Sequence, residues 1–573
     1  MQKELFRGIR YSALALAIAM GLSACSLDGD DGVDGATGAE GPQGAPGEQG
    51  PQGESGDSVG KLTRIATVPL GAEVTGIFLT DEGDLFFNVQ HPSGTNTATN
   101  SINSINSMPI NTGTVGVLAG VNFNNLPATL PDSPVPASEE EKQLVTTAIG
   151  QYQVLGQTGD TYNGDLPEGL GHIYTLDGGT LVLENDMPDF NGFLPTGEGQ
   201  GFLFSNWEEL PGGMSRMQIE RDEQGMWTVT DVMMLDFSPV WGTAANCFGS
   251  MSPWGTPLTS EEWVVDSTVD STTDASWNDP NEVATNARIG RMWEMTAPDV
   301  PNPYNYGYIA EVTEPAADEP VIVKHLAMGR YEHENSTVMP DGRTVYLSQD
   351  DTGGVLFKFV ADVAEDLSAG TLYGAKLTQD VGQNDPATTG FDVEWVELAS
   401  GDNLTIRAWI DEYNGIGTDD YVDGESSYIT LADVEAWANG DASYPTVANG
   451  GGKVTAGQPM DDRVAFLESR AAAKAMGATA EWRKLEGISI NQKRAQEAVE
   501  GVDTIEGEIV TDAYLYIGIA DIDNTMVDGE GDMQLSTRVK DCGGVYRARL
   551  GENYNISRIE PVVMGSTYRS SLT

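Results

Sequence analysis

The sequence holds three cysteines, Cys25, Cys247 and Cys542, and four histidines among 87 acidic residues. An imidazole-rich zinc site is hard to build from that inventory. Oxygen ligands dominate it, which suits hard cations such as calcium, magnesium or ferric iron. The stretch TAANCFGSMSPWGTPLTSEEW, residues 243–263, places Cys247 in a turn of small residues and follows it with Glu261 and Glu262. Carboxylates raise the pKa of a free thiol, so a cysteine set among them points to a metal ligand rather than a nucleophile. The alternative is a disulfide between Cys247 and Cys542, the default for two remaining cysteines in an exported chain.

Other segments carry similar groups. SNWEELPGGMSR presents Asn206 and Glu208 at the end of an apolar run, GRYEHENSTVMPDG presents Arg330, His333 and Glu334, and LSQDDTGG presents Asp350 and Asp351. Each alone reads as a solvated strand end, and His333 alone as a packed imidazole. Only convergence in space would turn them into one site.

The elements that must position these residues are short. From about residue 61, apolar or alternating runs such as EVTGIFLT, GDLFFNVQ, TLVLEND, WTVTDVMML, RTVYLSQDD and AYLYIGIAD lie between Gly, Asp, Asn and Pro turns. That texture predicts an all-β fold, a propeller or large sandwich, with apolar strands joined by acidic-Gly turns and no strict period. Residues 430–500 depart from it: LADVEAWANG, DRVAFLESRAAAKAMGATAEWRKLEG and NQKRAQEAV predict helical insertions near a rim. The basic residues Arg463, Arg470, Lys474, Arg483, Lys484, Lys493 and Arg494 gather there. They read first as partners of local acids, and second as a face for an anionic substrate.

The chain has 573 residues and a formal charge of −57, which argues against nucleic acid as a partner. Lys3, Arg7 and Arg10 precede SALALAIAMGL and then Leu22-Ser23-Ala24-Cys25. This order reads as a lipoprotein signal over residues 1–24, with Cys25 the lipidated first residue of a protein held in the bacterial cell envelope. Residues 25–60 follow with glycine at every third position from Gly29 to Gly56. That repeat reads as a collagen-like stalk, with a homotrimer or a flexible tether as its two outcomes. Residues 61–573 form the body.

The body resembles the PhoX-type alkaline phosphatase family. TAANCFGSMSPWGTPLTSEEW is similar to that family's Asn-Cys-x-Gly-Gly-x-Thr-Pro-Trp-Gly-Thr segment with its following Glu-Glu, and SNWEELPGGMSR to its Asn-His-Glu segment. GYIAEVTEP, HLAMGRYEHENSTVMPDGRTVYLSQDDTGGVLFKFVAD, GTLYGAKL and WRKLEGISI follow in the family's order. The resemblance implies a six-bladed β-propeller hydrolysing phosphate monoesters with ferric ions bridged by a cysteine and with calcium ions. Carried over, Cys247 is the bridging ligand, and Glu208, Glu262 and Glu334 are the leading carboxylates. Glu261, Asp350 and Glu486 join them, and Asn206 and Arg330 contact the phosphate.

The chain departs from the pattern in three places. TGIFLTDEGDLFFNVQHPSG, residues 75–94, resembles a segment near the family's C-terminus, so a circular permutation is implied. Trp207 stands where the family has histidine, and Ser252 where it has threonine. A lipobox replaces the family's usual twin-arginine signal, so calcium is expected more firmly than iron. The competing reading is a non-catalytic calcium-binding propeller used for surface or matrix attachment.

Overall fold

The computed structural model describes residues 63–99, 109–264, 280–296, 298–422, 424–505, 507–536, 538–539 and 543–565. Cys25, Cys542, the signal and the stalk fall outside the described residues.

Strands dominate, and most belong to three four-stranded antiparallel sheets and one nine-stranded sheet built of two four-stranded halves, IV and V, and a joining strand. Sheet I runs Glu73–Leu79, Leu85–Gln90, Thr114–Ala119 and Gln151–Gln157. Sheet II runs Pro188–Gly197, Gln200–Trp207, Gly213–Arg221 and Trp227–Met234. Sheet III runs Asn246–Met251, Pro257–Glu261, Ile309–Thr313 and Val321–His325. Sheet IV begins His333–Val338, Thr344–Gln349, Phe357–Val363 and Asp366–Gln379, and sheet V begins Leu485–Ser489, Tyr514–Ile519, Gly544–Arg549 and Arg558–Met564. Phe391–Asp402 pairs with the last strand of each, fusing IV and V into one nine-stranded sheet.

The first strand of each sheet is the inner one, and inner strands touch in order from I to V. Lys493 and Asp81, 2.9 Å apart, tie the helix after the inner strand of V to the hairpin of I. Apolar residues fill the spaces between neighbouring sheets. Phe86, Leu203, Trp207 and Met217 lie between I and II, and Phe190, Phe204, Ala310 and Val312 between II and III.

Among the described residues the sheets do not fix a blade count. Leu181–Glu184, within the TLVLEND run, pairs only with His172–Tyr174. One expectation needs correction, because helices begin earlier than residue 430: Asn403–Asp411 is capped by the Asp402 carboxylate, which accepts from the backbone N–H groups of Leu404 and Thr405. Leu431–Ala438, Arg463–Leu467, Ser469–Ala475 and Gln492–Glu500 follow, and Pro280–Gly290 is a further helix.

Candidate metal centre

A local device recurs where the inner strands begin. In sheets II to V the inner strand carries one more residue than its partner, a β-bulge, which re-aims a side chain. Asp189 and Phe190 oppose Asn206 alone, Cys247 and Phe248 oppose Ser260, and Glu486 and Gly487 oppose Gly518. Glu334 is the extra residue between the His333–Gln349 and Asn335–Ser348 pairs. Asp189, Cys247, Glu334 and Glu486 are therefore equivalent bulge residues of four successive sheets.

A second set is equivalent too. The residue after each second strand donates its backbone N–H to the chain just ahead of the inner strand: Glu208 to Met187 O at 2.8 Å, Glu262 to Ala245 O at 3.0 Å, Asp350 to Glu332 O at 3.2 Å, and Ala520 to Lys484 O at 3.1 Å. Antiparallel pairing puts the start of one strand beside the end of the next. The repeat thus gathers both sets at one end of the molecule.

The gathered atoms form three adjoining groups: Asp189, Glu208 and Cys247; Cys247, Glu262 and Glu334; Glu334, Asp350 and Glu486. Within each, one ligand atom per residue lies within 4.8 Å of the others. Cys247 and Glu334 are each shared by two groups. Cys247 Sγ lies 3.5 Å from Glu334 Oε2 and 3.7 Å from Asp189 Oδ2.

All these side chains are buried, which is costly for six carboxylates. Burial, then like charge, pushes Asp189 up to about 7 and Glu208 up to about 8. The same causes raise Glu262, Glu334 and Glu486 well above the ordinary range, and burial also raises Asp350. Both oxygens of Glu486, Oε1 of Glu208 and Oδ1 of Asp350 meet no hydrogen-bond donor. Oxygens so short of donors, packed with like charges, fit cations.

Just over half of the chain, residues 213–508, matches the family model described as alkaline phosphatase PhoX. The chain belongs to the PhoX alkaline phosphatase family. Among solved structures it is similar to Pseudomonas fluorescens PhoX in complex with vanadate, a transition state analogue, at 17% identity over 68% of each chain with a TM-score of 0.41. No curated protein matches. As a PhoX family member the protein is a phosphatase, which sets aside the purely adhesive reading.

Of the residues expected from the PhoX resemblance, Glu208, Cys247, Glu262, Glu334, Asp350 and Glu486 meet in the cluster. Glu261 does not. Its Oε1 accepts from Ala244 N and from Lys324 Nζ at 2.9 Å, and its Oε2 from Gly307 N and Tyr308 N, so every strong acceptor site is used. It forms a buried ion pair with Lys324 and is not among the three groups. The Arg330 guanidinium donates to Tyr306 O and Leu467 O and lies over the Tyr304 ring, which ties it to the helical insertion. Asn206 spends its amide N–H groups on Cys247 O and Phe248 O, across to sheet III. Its remaining atom, the buried Oδ1, is an unpartnered acceptor, which suits a cation and not a phosphoryl oxygen.

Cys247 is disulfide-bonded here. A disulfide sulfur carries no thiolate charge, so this oxidised form and a bridging ligand are two exclusive states of one sulfur. Trp207, in place of histidine, turns away from the cluster into the core, as alternation along a strand demands, and donates to Ser215 Oγ at 3.0 Å. The Pro-Trp-Gly-Thr block is a hairpin turn whose Trp254 and Thr256 both donate to Glu311, with no part in the cluster.

Asp189 and Gln90 were not singled out from the sequence. Gln90 Nε2 donates to Glu208 Oε2 at 2.8 Å and lies 3.4 Å from Asp189 Oδ2. Its membership of the displaced segment 75–94 was the available signal. Most of the basic run pairs with local acids: Arg463 with Asp461 and Glu412, Arg470 with Asp351, and Arg494 with Glu508. Lys484 is different, because its Nζ stands 3.5 Å from Asp350 Oδ2 within the cluster itself.

Proposed function

We propose that this chain is a metal-dependent phosphatase of phosphate monoesters, holding calcium and ferric iron through Asp189, Glu208, Glu262, Glu334, Asp350, Glu486 and reduced Cys247. The observation that carries this reading is the set of three adjoining, donor-starved groups sharing Cys247 and Glu334 in a PhoX-family chain. Bound cations would neutralise phosphoryl oxygens and acidify an attacking water, so no protein nucleophile is needed.

The chain's own residues set the geometry. The bulged strands hold the carboxylates rigidly, and Gln90 orients Glu208 from sheet I. Lys484 places a positive charge beside Asp350, which would attract a phosphoryl oxygen to an otherwise acidic cluster. We read I to V as propeller blades. The closeness of Gln90 to Glu208 supports a circular permutation, since a segment similar to the family's C-terminal one would then close the same site. We further propose lipid anchoring through Cys25 at the cell envelope, with the Gly-x-y segment as a spacer that can trimerise.

The test is hydrolysis of a chromogenic phosphate monoester at alkaline pH by protein treated with a reductant and loaded with calcium and iron. Activity that vanishes with chelator and in Cys247→Ala supports the reading. Full activity in Cys247→Ala removes the shared sulfur ligand.

A further inference from the structure

In the repeat described above, one position carries a carboxylate in three sheets: Glu208 in II, Glu262 in III and Asp350 in IV, each directly after the second strand. In sheet I the second strand ends at Gln90, paired with Glu73, and the next residue is His91. We propose that His91 is the proton donor to the leaving-group oxygen. This rests on the phosphatase reading and adds a catalytic residue to it.

Several observations converge on this side chain. His91 Nε2 lies 3.5 Å from Glu73 Oε1, and the two side chains are 32% and 26% exposed, so the pair opens to solvent while the cluster is sealed. Gln90, paired with Glu73 and next to His91 in the chain, donates to Glu208 at 2.8 Å, which brings this end of sheet I to the cluster, and Glu73 adds like charge to Asp189, Glu208 and Glu486. The backbone of His91 is held at φ +38°, ahead of Pro92, with its N–H donating to Asp186 O at 3.1 Å. A non-glycine residue in that region is strained, and such strain gathers at functional sites.

The charged groups acting on the ring are acids: Glu73 from its partner strand and Asp186 from the segment ahead of sheet II. The Glu73 hydrogen bond, outweighing burial, raises the imidazole above its usual value. The other three histidines are placed differently. His325 is buried on Glu311, His333 is buried under Tyr331 and pushed down to about 3, and His172 lies in the small two-stranded sheet.

In the step, a water oxygen forms the new bond to phosphorus. The bond from phosphorus to the ester oxygen breaks, and its electron pair stays on that oxygen. The His91 imidazolium passes its proton there, releasing an alcohol. The imidazole is reprotonated from solvent, and the attacking water's protons pass to solvent or remain on the phosphate.

Leaving groups tell whether this holds. Nitrophenolate needs little protonation to depart, whereas an alkoxide needs it strongly. In His91→Asn, kcat/KM for an alkyl phosphate should fall about 100-fold and for 4-nitrophenyl phosphate only about 3-fold, with metal content unchanged. Glu73→Gln, which keeps the imidazole but removes its carboxylate, should move the alkaline limb of the alkyl phosphate profile to lower pH. Equal losses on both substrates overturn the proposal. Loss of metal from His91→Asn does so too, because it makes His91 a ligand. A loaded wild-type enzyme inactive on both esters sinks the phosphatase reading and this inference with it.

Discussion

Glu261 and Glu262 are neighbours in the chain, both buried, and they belong to opposite kinds of site. Glu261 meets three backbone N–H groups and the Lys324 ammonium, which itself is capped by Asn305 O and lies 4.8 Å from the Tyr306 ring centre. Glu262 meets Glu208, Asp350 and Glu334, all of its own sign. Burial alone does not mark a metal ligand. What marks it is burial that the protein leaves electrostatically unpaid. One position of register decides which side of the strand faces the cluster, and so which glutamate has which fate.

The contrast can be broken from either side. Glu334 is shared by two of the three groups, so Glu334→Gln should cost several kcal/mol of transition-state stabilisation, about 1,000-fold in kcat/KM, and lower the metal content. The fold should survive, because losing one of several repelling charges relieves the apo protein. Glu261→Gln should do the reverse: it strands buried Lys324 and destabilises by about 3 kcal/mol, read by urea titration, while the metal content of the folded fraction is kept. Glu261→Gln combined with Lys324→Met should recover part of that loss. If Glu261→Gln instead strips metal at unchanged stability, the division between the two sites is wrong.

A smaller effect lies in pH. Asp189 and Glu208 bind protons more tightly folded than unfolded, so their contribution is complete below the ordinary carboxylate range and is lost as pH rises through about 7 and about 8. Chelator-treated protein should therefore show a falling Tm from about pH 5 to pH 9, and metal-loaded protein a nearly level one. The least effect is expected at Gln90. Gln90→Leu removes an outer partner of Glu208 and should weaken metal binding about 10-fold, measured by competition with a chelating dye.

How far the sequence could be read follows from the same physics. The cysteine with its flanking glutamates and the strand-end acids Glu208, Glu334 and Asp350 stood in recognisable segments, and short strands between acidic turns announced a β fold. The bulges did not show, because an extra residue in one strand is visible only against its partner. Asp189, in NDMPDFNG, had no acidic neighbour pattern to single it out, and only the bulge opposite Asn206 aims it at Cys247. The backbone partners of Arg330 and Glu261 could not be read either, because a charged residue beside a site looks the same in sequence whether it faces the site or the chain around it. Runs such as LVLE have an apolar pattern that suits a strand, but among the described residues this one forms only one pair, so apolar runs alone do not count blades.

The most direct test of the central claim is a crystal structure of the reduced, metal-loaded protein in which anomalous scattering identifies each ion. Cations are expected among Asp189, Glu208, Glu262, Glu334, Asp350 and Glu486, one of them within bonding distance of Cys247 Sγ, and none at Glu261. An active enzyme with Cys247 still in its disulfide and no cation among those carboxylates would contradict that claim.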